Sequence, residues 1–294
     1  ATFSSVDSLQ GQQWLAVASL GGHAGQGSAR IFLAAALPSE LIESYLPDLL
    51  ISRDTLEWDP RSETLVAERQ RMLGSLVFSR QALVQIDPQQ RSQALCQVVR
   101  KQGLALLPWT PALRQWQARV ALLRGQDLQS DSESRWPDLG DQALLDTLEQ
   151  WLSPWLGKVS RLAHFGNLDL GPILTGLLPW PLPRELEELA PTHWTVPTGS
   201  QIRIDYSESL PVLAVRLQEM FGSTDTPRIA GGRIALKLHL LSPARRPVQV
   251  TQDLAGFWTG SYLEVKKDMK GRYPKHYWPD DPLQAEPTSR AKPR

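Results

Sequence analysis

The residues with the clearest chemistry lie between Pro247 and Pro282, in the run PVQVTQDLAGFWTGSYLEVKKDMKGRYPKHYWPDDP. Lys266, Lys267 and Lys270 stand close together, and Arg272, Tyr273, Lys275, His276, Tyr277 and Trp278 then alternate cations with flat rings. Ammonium and guanidinium groups suit phosphates, while rings and guanidinium planes suit unstacked bases. The chemistry on offer is binding of single-stranded nucleic acid rather than bond making. Arg233, Lys237, Arg245 and Arg246 extend the basic character upstream. A structural reading stands beside this one. Aromatic residues at helical spacing are commonly core, and lysines in a last helical turn suit the helix dipole by themselves.

Those residues need elements to hold them. Thr251 reads as an N-cap with Asp253 in the first turn, and Leu254, Trp258, Tyr262, Val265 and Met269 recur at spacings of three or four, with Phe257 on the flank. This predicts one helix closed by Gly271 as a left-handed C′ residue. Pro274, Pro279 and Pro282 then impose an extended path. Upstream, a turn at Gly231–Gly232 leads into RIALKLHLL, where Ile234, Leu236, Leu238 and Leu240 alternate with Arg233, Lys237 and His239. SQIRIDY gives another strand, with Ile202, Ile204 and Tyr206 on one side and Arg203 and Asp205 on the other. The spacing of Leu213, Leu217, Met220 and Phe221 predicts a helix closed by Gly222. The C-terminal domain, 166–282, is thus α+β with one basic face, and 283–294 reads as a flexible basic tail.

The N-terminal part has a different texture. QWLAVAS and ARIFLAAA read as strands joined by the loop GGHAGQGS, a helix follows over Ser39–Leu50, and further strands are expected at DTLEWD and between Thr64 and Val84. Short strands with one helix predict a small Greek-key barrel of the OB type over 1–86, with a sandwich as the alternative. Arg69, Arg71 and Arg80 would lie on its nucleic-acid face or simply be exposed. The glycine-rich loop is no phosphate cradle: Ser28 stands where that motif needs Lys, and a strand follows instead of a helix. His23 within it reads as a solvated loop residue. The middle, 87–165, is helical. Asp87 with Pro88, and Thr110 with Pro111, are helix starts. The stripe Leu113, Trp116, Val120, Leu123 ends at Gly125, QDLQSDSES is a loop, and Leu144, Leu145, Leu148, Trp151, Leu152 and Trp155 lie on one helix as core. Two short helices flank LLPWPLPRE within 164–192.

Composition sets the outer limits. The 294 residues are 41% hydrophobic and 21% charged, an ordinary globular balance with a formal net charge of zero. That total hides an asymmetry. From residue 228 onward there are thirteen Lys and Arg against six Asp and Glu, so the C-terminal part is +7 and the remainder −7. A basic end favours an anionic partner. Cys96 is the single cysteine, which excludes an internal disulfide and a cysteine zinc cluster, fits a reducing cytoplasm, and reads as a buried thiol. The five histidines have no metal-ligand spacing, and no nucleophile elbow, zincin or dinucleotide motif is present. No apolar run is long enough to span a membrane, and the start lacks a signal-peptide pattern. The chain starts without Met and is expected to be a piece of something longer, or a processed chain.

Several stretches resemble one family closely. TPRIAGGRIALKLHLLSPARRPVQVTQDLAGFW, KKDMKGRYPKHYWPDDP and PTSRAKPR are similar to the C-terminal domain of the HrpB family of bacterial ATP-dependent helicases, of DEAH-box type. GLALLPWTPALRQWQARVALLR, RWPDLGDQALLDTLEQWLSPWL and SQIRIDYSESLPVLAVRLQEMFG resemble the same family, so the likeness covers nearly everything from about residue 10. It implies a parent with RecA-like motor domains that uses ATP and Mg2+, with an OB-like module in related helicases. The Walker A loop, DEAH box and arginine finger have no counterparts here, so no catalytic residue carries over and this segment is expected to be inactive alone. The resemblance implies an auxiliary region binding single-stranded RNA, or DNA, beside motor domains of the same parent chain. The alternative is a structural or protein-interaction module docking on the helicase core or on a partner protein, with Trp180 and Trp194 mattering more than the lysines.

Overall fold

The computed structural model describes residues 9–21, 30–130 and 133–292, apart from the side chain of Ser130. The chain divides into two compact units, Ala1–Ala94 and Leu95–Arg294. In the first, β1 (Leu15–Gly21) and β2 (Arg30–Ala36) form an antiparallel ribbon. The glycine-rich loop joining them, with His23, lies outside the described residues. Helix α1 (Ser39–Tyr45) follows Pro38 and buries Ile42. Strands β3 (Leu50–Asp59), β4 (Thr64–Leu73) and β5 (Leu76–Ala82) then make an antiparallel meander with β4 in the middle. Gly74, at φ +61°, turns β4 into β5, a conformation open to glycine at little cost.

The expected OB-like barrel is not formed among the described residues. A barrel closes only when its first and last strands bond to each other, whereas here the ribbon and the meander are separate sheets. The arginines assigned to a barrel face are paired inside the unit. Arg69 meets Asp54 at 2.8 Å, Arg71 meets Glu43, and Arg80 lies 3.6 Å from Glu68.

Helix α2 (Pro88–Gln102) starts in the first unit and ends in the second. The Asp87 carboxylate accepts from Gln90 N–H at 2.9 Å, as an N-cap should. Helix α3 (Pro111–Ser130) begins the same way, Thr110 Oγ1 accepting from Leu113 N–H at 3.2 Å. It does not stop at Gly125 but runs on through Gln126–Gln129. Nothing stands near the glycine to end the helix, and an interior Gly costs only about 1 kcal/mol. The single helix expected around Leu144–Trp155 is instead α4 (Asp141–Asp146), α5 (Leu148–Trp151) and a 3-10 turn over Ser153–Lys158. The break falls at Thr147, whose hydroxyl donates to Ala143 O at 2.7 Å. Leu144, Leu148, Trp151 and Leu152 are buried, but Trp155 is exposed. Helices α6 (Leu170–Thr175) and α7 (Leu182–Leu189) flank the proline-rich segment.

The sheet of the second unit comes next: β6 (His193–Thr195), β7 (Gln201–Asp205) and β8 (Val212–Arg216), then the small β9 (Arg228–Ile229) and β10 (Ile234–Ala235), then β11 (Lys237–Leu241) and β12 (Pro247–Thr251). Its five strands run β12-β11-β8-β7-β6, with β8 and β11 parallel and the other neighbours antiparallel. The helix expected across Leu213–Phe221 is a correction: 212–216 is the strand β8, followed by a 3-10 turn over Leu217–Met220. Val212 and Val215 favour the pleat, and the central place between β7 and β11 buries Leu213 completely.

The C-terminal helix is also two: α8 (Leu254–Thr259) and α9 (Tyr262–Arg272). Gly260, with ψ −95°, breaks the helical path between them. The N-cap is Asp253 rather than Thr251, its carboxylate accepting from Gly256 N–H at 2.8 Å. Gly271 lies inside α9, which ends at Tyr273. The run expected as a flexible tail is tied down as far as Lys292. Gly222 N–H donates to Pro282 O, Thr288 N–H to Gln218 O and Tyr277 N–H to Ala291 O, at 2.9, 3.0 and 2.7 Å. Thr288 and Ala285 are buried.

A candidate nucleic-acid interface

The aromatic stripe of α8 and α9 is core. Trp258 and Tyr262 stack edgewise about Phe221 and Phe257, with ring centroids 4.9–6.3 Å apart. Their polar ends are satisfied: Trp258 Nε1 donates to Ser223 O at 2.8 Å and Tyr262 Oη to Pro279 O at 2.9 Å. Burial raises the Tyr262 phenol well above its usual range. This packing fixes where the cations of α9 emerge.

Those cations divide. Lys266 is mostly covered and bonds to Asp280, which holds that carboxyl below the usual carboxylate range. Arg272 pairs with Asp268 one turn back at 2.9 Å. Lys267, Lys270 and Lys275 are exposed. Of the rings beyond α9, Trp278 is buried and Tyr273, His276 and Tyr277 are half-buried. Trp278 donates to Tyr273 O at 3.0 Å, Tyr273 lies edge-on to His276, and Tyr277 packs edge-on against Phe221. Nδ1 of half-buried His276 lies 3.1 Å from Gln218 Oε1. Burial, and then the nearby Arg216, lower its pKa.

The upstream cations sit apart from α9 in sequence and serve other turns. Arg233 Nε donates to Ala230 O at 2.8 Å, and Lys237 pairs with Glu208 at 2.9 Å. Arg245, at φ +60°, and Arg246 form the β11–β12 turn, where Arg245 N–H donates to Ser242 O at 2.8 Å. Arg245 also lines an open cavity of about 400 Å³ with Arg203 and Arg216. Sequence reasoning did not place Arg203 or Arg216 in the site. Strand alternation marked Arg203 as outward, but its neighbours across the sheet come from a strand read as a helix. Among the described residues, no group of three His, Cys, Asp or Glu is placed to hold a metal ion, and no helix is long and apolar enough to cross a membrane.

Two family models fit this architecture. The ATP-dependent helicase C-terminal model matches residues 151–282, from α5 through the five-stranded sheet to the segment after α9, and the HrpB connector-region model matches 49–83, the β3–β5 meander. In these two stretches the chain is similar to the connector and C-terminal region of HrpB. It is 42% identical over 293 residues to the ATP-dependent RNA helicase HrpB of Escherichia coli strain K12, covering 99% of this chain and 36% of that protein. A crystal structure of the E. coli DExH-box NTPase HrpB matches with TM-score 0.67 at 42% identity, over 98% of this chain and 35% of that one. Another, of the E. coli DEAH/RHA helicase HrpB, matches with TM-score 0.58 at 38% identity, over 92% and 34%. The chain thus spans about a third of the length of the HrpB relatives it matches.

Proposed function

We propose that this HrpB-like region is an accessory nucleic-acid binder that guides a single strand, RNA before DNA, along a basic surface while ATP hydrolysis with Mg2+ takes place in motor domains elsewhere in the parent. The observation that carries the reading is the charge asymmetry, +7 from residue 228 onward, in a chain similar to an RNA helicase over its whole length. Phosphate contacts would supply most of the affinity, so sequence preference is small. A cytoplasmic setting goes with this reading.

Lys267, Lys270 and Lys275 are exposed around α9 and stand outside the ion pairs of Lys266 and Arg272, and they would touch phosphate without ring stacking. The test is a gel shift of labelled single-stranded RNA at low salt. A shifted species is expected, and no shift at any protein concentration overturns the reading. A second reading, docking on the helicase core or a partner protein, draws on the exposed indoles of Trp155 and Trp180. It predicts that Trp180→Ala lowers retention on isolated motor domains and leaves RNA binding unchanged.

A further inference from the structure

The open face of the five-stranded sheet gathers arginines from three separate stretches of sequence: Arg203 on β7, Arg216 at the end of β8 and Arg245 in the β11–β12 turn. Strand pairing sets His193 opposite Arg203, Ala214 beside His239, and His239 opposite Val250. Extending the Ile204–Leu213 pairing by one residue sets Arg203 beside Ala214. Residues opposed across strands share a face. His193, Arg203, Ala214, His239 and Val250 therefore make one row across all five strands. Each is exposed or half-buried, whereas Ile204, Leu213 and Leu238 of the alternate row are buried.

Ala214 is the shortest member of that row, and a hollow stands over it. This is the cavity of about 400 Å³ between Arg203, Arg216 and Arg245, floored by Ala214 and Leu241. A second open hollow of about 280 Å³ shares Arg203 and is lined by Trp116, His193 and Arg119. Arg203 stands where the two meet. Nearby carboxylates are already engaged: Glu219 accepts from the Thr198 hydroxyl at 3.1 Å, and Asp205 from the Gln115 amide at 2.7 Å and Ser207 N–H at 2.9 Å. Among the described residues Arg203 and Arg245 have no ion pair, although Arg203, after the hydrogen bonds from Ser207 and Gln115, is near enough to Asp205 to help hold its carboxyl below the usual range, and one Arg216 nitrogen donates to Ser289 O at 3.2 Å.

We infer that a single RNA strand crosses this sheet face, with phosphates held by Arg203, Arg216 and Arg245 and a base received beside Trp116 and His193. Three guanidiniums around one hollow match a phosphodiester, since the fork of Arg donors fits phosphate oxygens and stays charged at every working pH. The adjoining indole and imidazole give a neighbouring base flat surfaces to stack on. This site rests on the nucleic-acid-binding function proposed above, and moves its centre from α9 to the sheet.

Fluorescence anisotropy of labelled single-stranded RNA with the full 294-residue chain tests both, comparing the parent with Arg203→Gln/Arg245→Gln and with Lys267→Gln/Lys270→Gln. The arginine pair is expected to weaken binding on the order of tenfold and to make the log–log salt slope shallower by about 0.7 per cation removed. The lysine pair should weaken binding by less than the arginine pair, since α9 would hold phosphate only at the edge of the strand's path. Thermal melts of the variants should match the parent. In the parent itself, 4-thiouridine RNA should cross-link to peptides from 193–216 rather than 262–278. Parent-like binding by the arginine variant, or cross-links confined to 262–278, overturns the sheet site and leaves the function standing. A parent that binds no RNA overturns both.

Discussion

Arg119 is the clearest single-residue determinant of stability in the second unit. It is 3% exposed, its guanidinium donates to Ala190 O and, at 3.2 Å, to Leu186 O, and its outer edge meets Glu187 at 2.8 Å. It thus satisfies carbonyls at the C-terminal end of α7, where a cation also suits the helix dipole. Arg119→Met removes both donors and leaves Ala190 O without its partner, while Leu186 O keeps the Ala190 N–H, a loss of about 1–3 kcal/mol. A urea melt should show a lower midpoint with an unchanged slope, and a loss below about 1 kcal/mol would mean that water replaces the guanidinium. His276 gives a pH dependence whose sign is fixed. Its folded pKa lies below the ordinary 6.5, so the unfolded chain binds the proton more readily. The contribution is fully present above about pH 6.5 and is lost as pH falls through the folded value. Melting temperature followed from pH 8 to pH 5 should fall more steeply for the parent than for His276→Asn, and parallel curves would remove His276 from that role. Cys96 is fully buried, and its thiol is pushed up to about 11, by burial first and then by Glu149. At pH 8 a disulfide-exchange reagent should modify it only in denaturant, and fast labelling of the folded chain would contradict its placement.

At the scale of elements, α3 and α8 make opposite predictions for small substitutions. Gly125 lies inside α3 with open space where a Cβ would stand, so Gly125→Ala should stabilise by about 0.5–1 kcal/mol. Were Gly125 a left-handed helix terminus, the same change would destabilise. Asp253→Ala removes the N-cap of α8 and should cost about 1 kcal/mol. The two changes also mark what was legible in the sequence. Asp87–Pro88 and Thr110–Pro111 were readable as helix starts because a cap is satisfied within three residues. The inward row of β11 was readable because alternation is local. Strand β8 was not: Leu213, Leu217, Met220 and Phe221 have helical spacing only because a strand runs into a 3-10 turn, and the pairing that makes 212–216 a strand comes from β11, later in the chain. The same limit governs the site. Cations alternating with rings were visible in RYPKHYW, but Phe221 packs on Tyr277, Gln218 meets the His276 ring and Tyr273 O accepts from the Trp278 indole, and how far each ring faces solvent depends on those contacts.

At the scale of the molecule, two compact units carry opposite expectations. The first pairs Arg69, Arg71 and Arg80 of its meander with its own carboxylates. Among the described residues, the second leaves Arg203 and Arg245 without an ion pair on an open sheet and exposes Lys267 and Lys270 on α9. Similarity to HrpB extends over both, and the chain spans about a third of that helicase; the function proposed for it is to hold a strand. The most direct measurement of that claim is the affinity of the chain for single-stranded RNA over a series of salt concentrations. The account predicts a log affinity that falls linearly with log salt, at about 0.7 per phosphate neutralised, giving a slope near −2 for three arginines. Affinity that does not change with salt, or absence of binding at low salt, would contradict it.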